Sequence, residues 1–220
     1  MPTTSMDQAH LNMVNSQVRG WDVVDARVLD VLGLVTRADF VPPAWRHLAY
    51  VDLPVPLGHG ETMMKPVVEG RMLQALNLLP DDEVLEIGTG SGYVTACLAK
   101  LSRSVTSVEL RDGFATSARQ RLRNAGVGNA EIVVADAVQD WQPPQPVDAL
   151  VVTGAVAELP GRWRDWLKPE GRAFVICGQP PSMRALLLQR GENDQWHETR
   201  LFETDLPYLL HAEAQARFSL

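Results

Sequence analysis

Ten residues, Val84-Leu85-Glu86-Ile87-Gly88-Thr89-Gly90-Ser91-Gly92-Tyr93, constrain the fold of this chain more than any other stretch. Val84, Leu85 and Ile87 are strand formers, and Pro80-Asp81-Asp82 before them is turn material, so a buried strand begins here. It runs straight into three glycines at alternate positions, with Ser91 placed to cap a helix that continues to about Leu101. Glycines so spaced let the main chain turn sharply and let a ligand approach it. The first N–H groups of the helix lack intrahelical partners and favour an incoming negative group.

Two nucleotide-binding signatures fail here. A P-loop needs Gly-Lys-Ser/Thr, which is absent, and the NAD fingerprint G-x-G-x-x-G needs a glycine where Tyr93 stands. An acidic residue followed by G-x-G-x-G remains. This resembles the first motif of class I S-adenosylmethionine (SAM) methyltransferases. A tight turn with no ligand is the competing reading of the glycines alone.

Downstream, strand and helix patterns alternate with short links. Strands are expected at 104–109, 130–135, 147–153 and 171–177, and helices at 111–125, 160–167 and 182–190. That alternation predicts a parallel, doubly wound sheet with right-handed crossovers. Residues 195–203 and 206–218 read as a closing pair of strands, which completes a Rossmann-like α/β sheet of seven.

Upstream, residues 1–5 are expected to be disordered. Leu11, Val14 and Val18 recur at helical spacing from Met6 to Arg19, and Val24, Val28 and Leu32 do so from Asp22 to Leu32. Thr36-x-x-Asp39 opens a short turn that Phe40-Val41-Pro42-Pro43 stops. Tyr50 to Pro66 is a long connection rich in Pro and Gly, and long loops inside compact domains usually carry function. A helix with proline in its first turn follows, from Pro66 to about Leu78. The organisation expected is an N-terminal helical cap and substrate loop over residues 1–66, then a core over 67–220.

A chain of 220 residues can bury a full core without staples. Its net charge of −7 argues against a nucleic-acid partner. Cys97 and Cys177 lack metal-ligand spacing and read as a reduced pair. No apolar run approaches the length of a membrane span and no leader is visible, so a cytoplasmic protein without a membrane partner or metal is expected.

Ligands of open α/β sheets lie at the carboxyl ends of the strands, and three acidic residues fall there. Glu86 precedes the glycines, Glu109 ends the second core strand, and Asp136 follows the third. Each alone is an ordinary strand-end carboxylate. Together they describe one nucleoside site, with Glu109 on the ribose hydroxyls and Asp136, beside the N–H of Ala137, on an adenine.

Further stretches bring in a resemblance. Asp39-Phe40-Val41-Pro42, Ala49 to Gly58, Gly60-Glu61-Thr62-Met63-Met64-Lys65-Pro66, Asp148 to Pro160 and Leu167 to Arg172 are similar to protein-L-isoaspartate O-methyltransferases. The likeness spans residues from about 10 to 200, and the proline-rich loop is its most specific part. It implies a SAM-dependent enzyme that methylates the α-carboxyl of isoaspartyl residues in damaged proteins. Glu86 with Gly88, Thr89, Gly90, Ser91 and Gly92 would hold the methionine part of SAM, and Thr62, Met63 and Met64 would lie near the methyl group. The family carries Gly-Gln-Thr-Ile-Ser-Gln-Pro in this loop. Met64 stands in place of the serine, and a thioether cannot donate a hydrogen bond. Two outcomes are open: the serine is dispensable, or the protein keeps SAM and has changed or lost its acceptor. His59 and Lys65 read as polar surface, and Trp163 and Trp166 as packing.

Overall fold

The computed structural model describes residues 5–214. Helix α1 (Ser5–Asn12) continues into a π-helical stretch at Met13–Val18, so the expected first helix forms with a wider turn in it. Residues 1–4 of the segment expected to be disordered lie outside the described residues, and Ser5 already belongs to α1. Helix α2 (Ala26–Leu34) starts later than its periodicity suggests because Asp25 caps it, its carboxylate accepting the Arg27 N–H at 2.9 Å. The long proline-rich connection is not all loop. It folds into a small antiparallel hairpin of β1 (Val55–Gly58) and β2 (Glu61–Met63), and helix α3 (Pro66–Leu76) follows.

The ten-residue stretch becomes β3 (Glu83–Ile87), the glycine turn and α4 (Tyr93–Leu101). Then come β4 (Ser104–Glu109), α5 (Asp112–Asn124), β5 (Ala130–Val134), β6 (Val147–Val156), β7 (Leu167–Gln179), β8 (Ser182–Arg190) and β9 (Trp196–Thr204). The sheet order is β5-β4-β3-β6-β7-β8-β9. The first five strands in that order run parallel, β8 is antiparallel to β7, and β9, antiparallel to β8, runs in the direction of the first five. Alternate residues serve opposite faces. Ala149 and Val151 of β6 join the core under α3, α4 and the N-terminal segment. Leu150 and Val152 join the other, around Trp163 and Trp166. Chain connections run outward in opposite directions from β3 and β6, and the crevice at such a switch point is where these sheets take ligands.

The expected seven-stranded Rossmann-like sheet is present, with two corrections to its members. Residues 182–190 form β8 rather than a helix. Met, Ala, Leu, Gln and Arg are good helix formers, but Pro180-Pro181 make the two-residue turn of a hairpin with β7. Met183 and Ala185 then face the core that holds Ala149 and Val151, and Leu188, on the opposite face by strand alternation, joins the core around Trp163 and Trp166. Pairing with β7 overrides local propensity. The second correction concerns 206–218, where the described part, to residue 214, forms no strand. It crosses the carboxyl edge of the sheet instead, with the Leu209 N–H donating to the Ala155 carbonyl and the Ala155 N–H to the Pro207 carbonyl. Residues 215–218 lie outside the described residues. The expected helix at 160–167 is a 3-10 turn, Gly161–Trp166. Trp163 and Trp166 are packing residues as expected, both buried. No helix among the described residues is long and apolar enough to cross a membrane.

Candidate functional site

The glycine turn at the tip of β3 cannot be built from other residues. Gly88 sits at φ +96°, and a Cβ there would lie 2.5 Å from Thr153 Oγ1. That hydroxyl, on β6, donates to the Ile87 and Gly88 carbonyls at 3.0 and 2.5 Å and so ties the two strand ends across the switch point. Gly88→Ala should therefore cost about 1–3 kcal/mol in strain alone, read as a lower urea midpoint of unfolding.

Glu109 ends β4 and staples the turn. Its carboxylate accepts the Gly90 N–H on one oxygen and the Arg111 N–H on the other, both at 2.9 Å. Burial pushes this carboxyl above the usual range, and the two N–H donors work against that shift. Asp136 follows β5. One of its oxygens accepts the Val138 and Gln139 N–H groups, and the other lies 2.6 Å from His211 Nδ1. The Ala137 carbonyl is fixed by Trp163 Nε1 at 3.1 Å and Arg162 Nη2 at 2.7 Å.

These pieces meet in one groove along the carboxyl edge. Thr62, Gly88, Gly90, Glu109, Asp136 and Ala137 all line it. Ile87, Val108, Leu110 and Leu209 give it apolar walls. A smaller cavity adjoins it, sharing Leu57, Thr62, Gly88, Gly90 and Thr153. Met63, Met64, Thr89 and Ser91 line this second chamber, together with Glu69 and Tyr93. The structure thus gathers ten of the twelve residues singled out in the sequence around two connected chambers.

Glu86 and Gly92 are not among the lining residues of either chamber. Glu86 is 0 % exposed and lies beneath the turn. One of its oxygens accepts the Thr95 and Ser107 hydroxyls at 2.5 and 2.6 Å, and the other has no partner. Ser107 in turn meets the Thr89 hydroxyl at 2.5 Å, so a short polar chain links Glu86 to the turn. Burial pushes the Glu86 carboxyl up to about 7.

Sequence reasoning missed Arg37, Glu69, Thr153, Leu209 and His211. Arg37 is buried behind Met64: it forms a two-point ion pair with Glu69, both contacts at 3.0 Å, and donates to the Met64 carbonyl at 2.6 Å. One signal was available for the pair. Glu69 is a lone charge in Val67-Val68-Glu69-Gly70, on the buried side of a helix. Nothing local marks Leu209, which lines the groove, or His211, which meets Asp136; both arrive there only because the tail crosses the sheet.

The model of the protein-L-isoaspartate(D-aspartate) O-methyltransferase family matches residues 9–205. This chain belongs to that family. Curated relatives agree: an enzyme named protein-L-isoaspartate O-methyltransferase 2 from Syntrophobacter fumaroxidans is 37 % identical over 181 residues, 82 % of this chain and 72 % of its own. A protein-L-isoaspartate O-methyltransferase from Methanoculleus marisnigri is 42 % identical over 166 residues, 76 % of each chain. Among solved structures, a Plasmodium falciparum protein-L-isoaspartate O-methyltransferase in complex with S-adenosyl-L-homocysteine superposes with a TM-score of 0.79. It is 20 % identical, over 91 % of this chain and 97 % of that one, and it bears on the fold alone. The resemblance drawn from the sequence is borne out, and O-methyl transfer is the family's chemistry. Met64, the loop residue singled out in the sequence, is 4 % exposed and lines the smaller chamber.

Proposed function

We propose that this chain transfers the methyl group of SAM to the α-carboxyl of isoaspartyl residues in proteins or peptides, in the cytoplasm. The observation that carries the proposal is the convergence of Glu109, Asp136 and the glycine turn on one groove that opens beside the Thr62–Met64 loop. SAM supplies a methyl group already activated by its positive sulfur. Glu109 accepts the ribose hydroxyls on the lone pairs its two N–H donors leave free. Asp136 and Ala137 meet the adenine, whose faces lie against Ile87, Val108 and Leu110. Gly88, Thr89, Gly90, Ser91 and Gly92 form the turn under the methionine part, and Glu86 braces that turn from below. The segment to residue 66 acts as cap and substrate loop over the core.

No base is needed at the acceptor, because a carboxylate is ionised at neutral pH. What the chain must do is hold acceptor oxygen, methyl and sulfur in line in a site that excludes water. Leu57, which lines both chambers, and the buried Met63-Met64 pair suit that task. Calorimetric titration with SAM tests the donor half. Glu109→Gln keeps the shape and one acceptor oxygen but removes the charge, and should weaken SAM binding by about 1.5–3 kcal/mol. Unchanged affinity would remove the ribose from Glu109.

Met64 favours a second reading, in which the same donor site serves a different acceptor or none, since the family serine is missing. Met64→Ser separates the two. If wild type and variant both methylate an isoaspartyl peptide, the serine is dispensable. If only the variant does, the acceptor chemistry has moved.

A further inference from the structure

The smaller chamber has a chemistry of its own. Glu69 lines it, while Arg37, its ion-pair partner, does not. Each Glu69 oxygen takes one N–H from Arg37, Nε to Oε2 and Nη2 to Oε1, both at 3.0 Å. A carboxylate offers about four acceptor positions, so lone pairs remain on the chamber side. Thr62 and Tyr93 line the same chamber, and both hydroxyls are buried without a hydrogen-bond partner. Tyr93 is 1 % exposed, with the Cys97 thiol as its polar neighbour. A carboxylate with acceptor capacity beside two hydroxyl donors without acceptors is the complement of a zwitterion.

We propose that Glu69, not Glu86, receives the α-ammonium group at the amino-acid end of the methyl donor, with Arg37 as its positioning residue. This rests on SAM being the donor. Glu86 is excluded by place: it is sealed under the turn and lines neither chamber. Glu69 is at the end of the groove away from Asp136, where the amino-acid part falls if the adenine lies against Asp136 and Ala137. The Thr62 and Tyr93 hydroxyls then donate to the carboxylate of the same zwitterion. Burial pushes the Glu69 carboxyl up, the charge and hydrogen bonds of Arg37 work against that shift, and the pairing fixes the plane of the carboxylate because each oxygen is held by one N–H.

The test is calorimetric titration of the whole chain with three ligands. S-adenosylhomocysteine carries ammonium and carboxylate, its decarboxylated analogue carries the ammonium alone, and 5′-methylthioadenosine carries neither. Glu69→Gln should weaken the first two by about 10- to 100-fold, the range of a hydrogen bond to a charged group, and leave methylthioadenosine within about twofold. Because Glu69→Gln leaves Arg37 buried beside a neutral partner, the double variant R37M/E69L, which removes both charges, is measured beside it and should show the same selective loss. Unchanged binding of the ammonium ligands in either folded variant would overturn the assignment. So would an equal loss of all three ligands, or a selective loss produced by Glu86→Gln instead. If wild type binds none of the three, SAM itself is the wrong donor and this inference falls with it.

Discussion

Arg37→Met should destabilise the fold by about 3–5 kcal/mol, the cost of leaving one partner of a buried ion pair uncompensated. Arg37 is 0 % exposed, and its guanidinium does four things at once. It pairs with Glu69, donates to the Met64 carbonyl, donates to the Ala49 carbonyl at 3.2 Å, and lies 5.2 Å from the centre of the Tyr93 ring. Removing it strands the Glu69 carboxylate in the core and frees two carbonyls. The R37M/E69L double variant should recover most of the loss, since a buried pair replaced by apolar groups is often neutral or better. Urea unfolding with a fitted midpoint and slope reads both values. A loss under about 1 kcal/mol for Arg37→Met would mean the pair is solvated and does not hold the loop.

The second large effect is a pH dependence carried by Glu86. Its folded carboxyl titrates near 7, whereas an exposed glutamate titrates near 4.5. At pH below 4.5 both states are protonated and the residue costs nothing. Between 4.5 and 7 the unfolded chain releases the proton while the folded chain keeps it, so stability falls as pH rises. Above 7 both states are ionised and the cost is complete, about 3 kcal/mol at 1.36 kcal/mol per pH unit. Other carboxylates bend the wild-type curve in their own directions, so the quantity to follow is wild type minus Glu86→Gln. That difference should drop by about 3 kcal/mol from pH 4.5 to pH 8, with most of the change below neutrality. A flat difference would show that Glu86 is ionised throughout and that water reaches it.

The core of this fold was legible because its signals are local. Val84 to Tyr93 spells strand, turn and helix in ten consecutive residues, and the strand tips carry Glu109 and Asp136 at the places where parallel sheets bind ligands. The ends of the chain were harder for a physical reason. Residues 182–190 have the composition of a helix and become a strand only because Pro180-Pro181 fold them back on β7. Leu209 and His211 belong to a segment with no periodicity, and its course is set by hydrogen bonds to Ala155 and Ala157, more than fifty residues away in sequence. Glu86 shows the opposite failure. Its position before the glycines is a motif, yet its side chain points into the packed interior and works through Ser107 and Thr95. The pair that shapes the smaller chamber, Arg37 and Glu69, lies 32 residues apart and becomes meaningful only when α3 packs beneath the loop.

The most direct measurement is methyl transfer from SAM to a short peptide containing one isoaspartyl residue, beside the same peptide with an ordinary aspartate. The expected result is a base-labile methyl ester on the isoaspartyl peptide, one S-adenosylhomocysteine released per ester formed, and none with the aspartyl control. Tight SAM binding with no ester on either peptide would contradict the isoaspartyl acceptor and leave this scaffold serving another substrate.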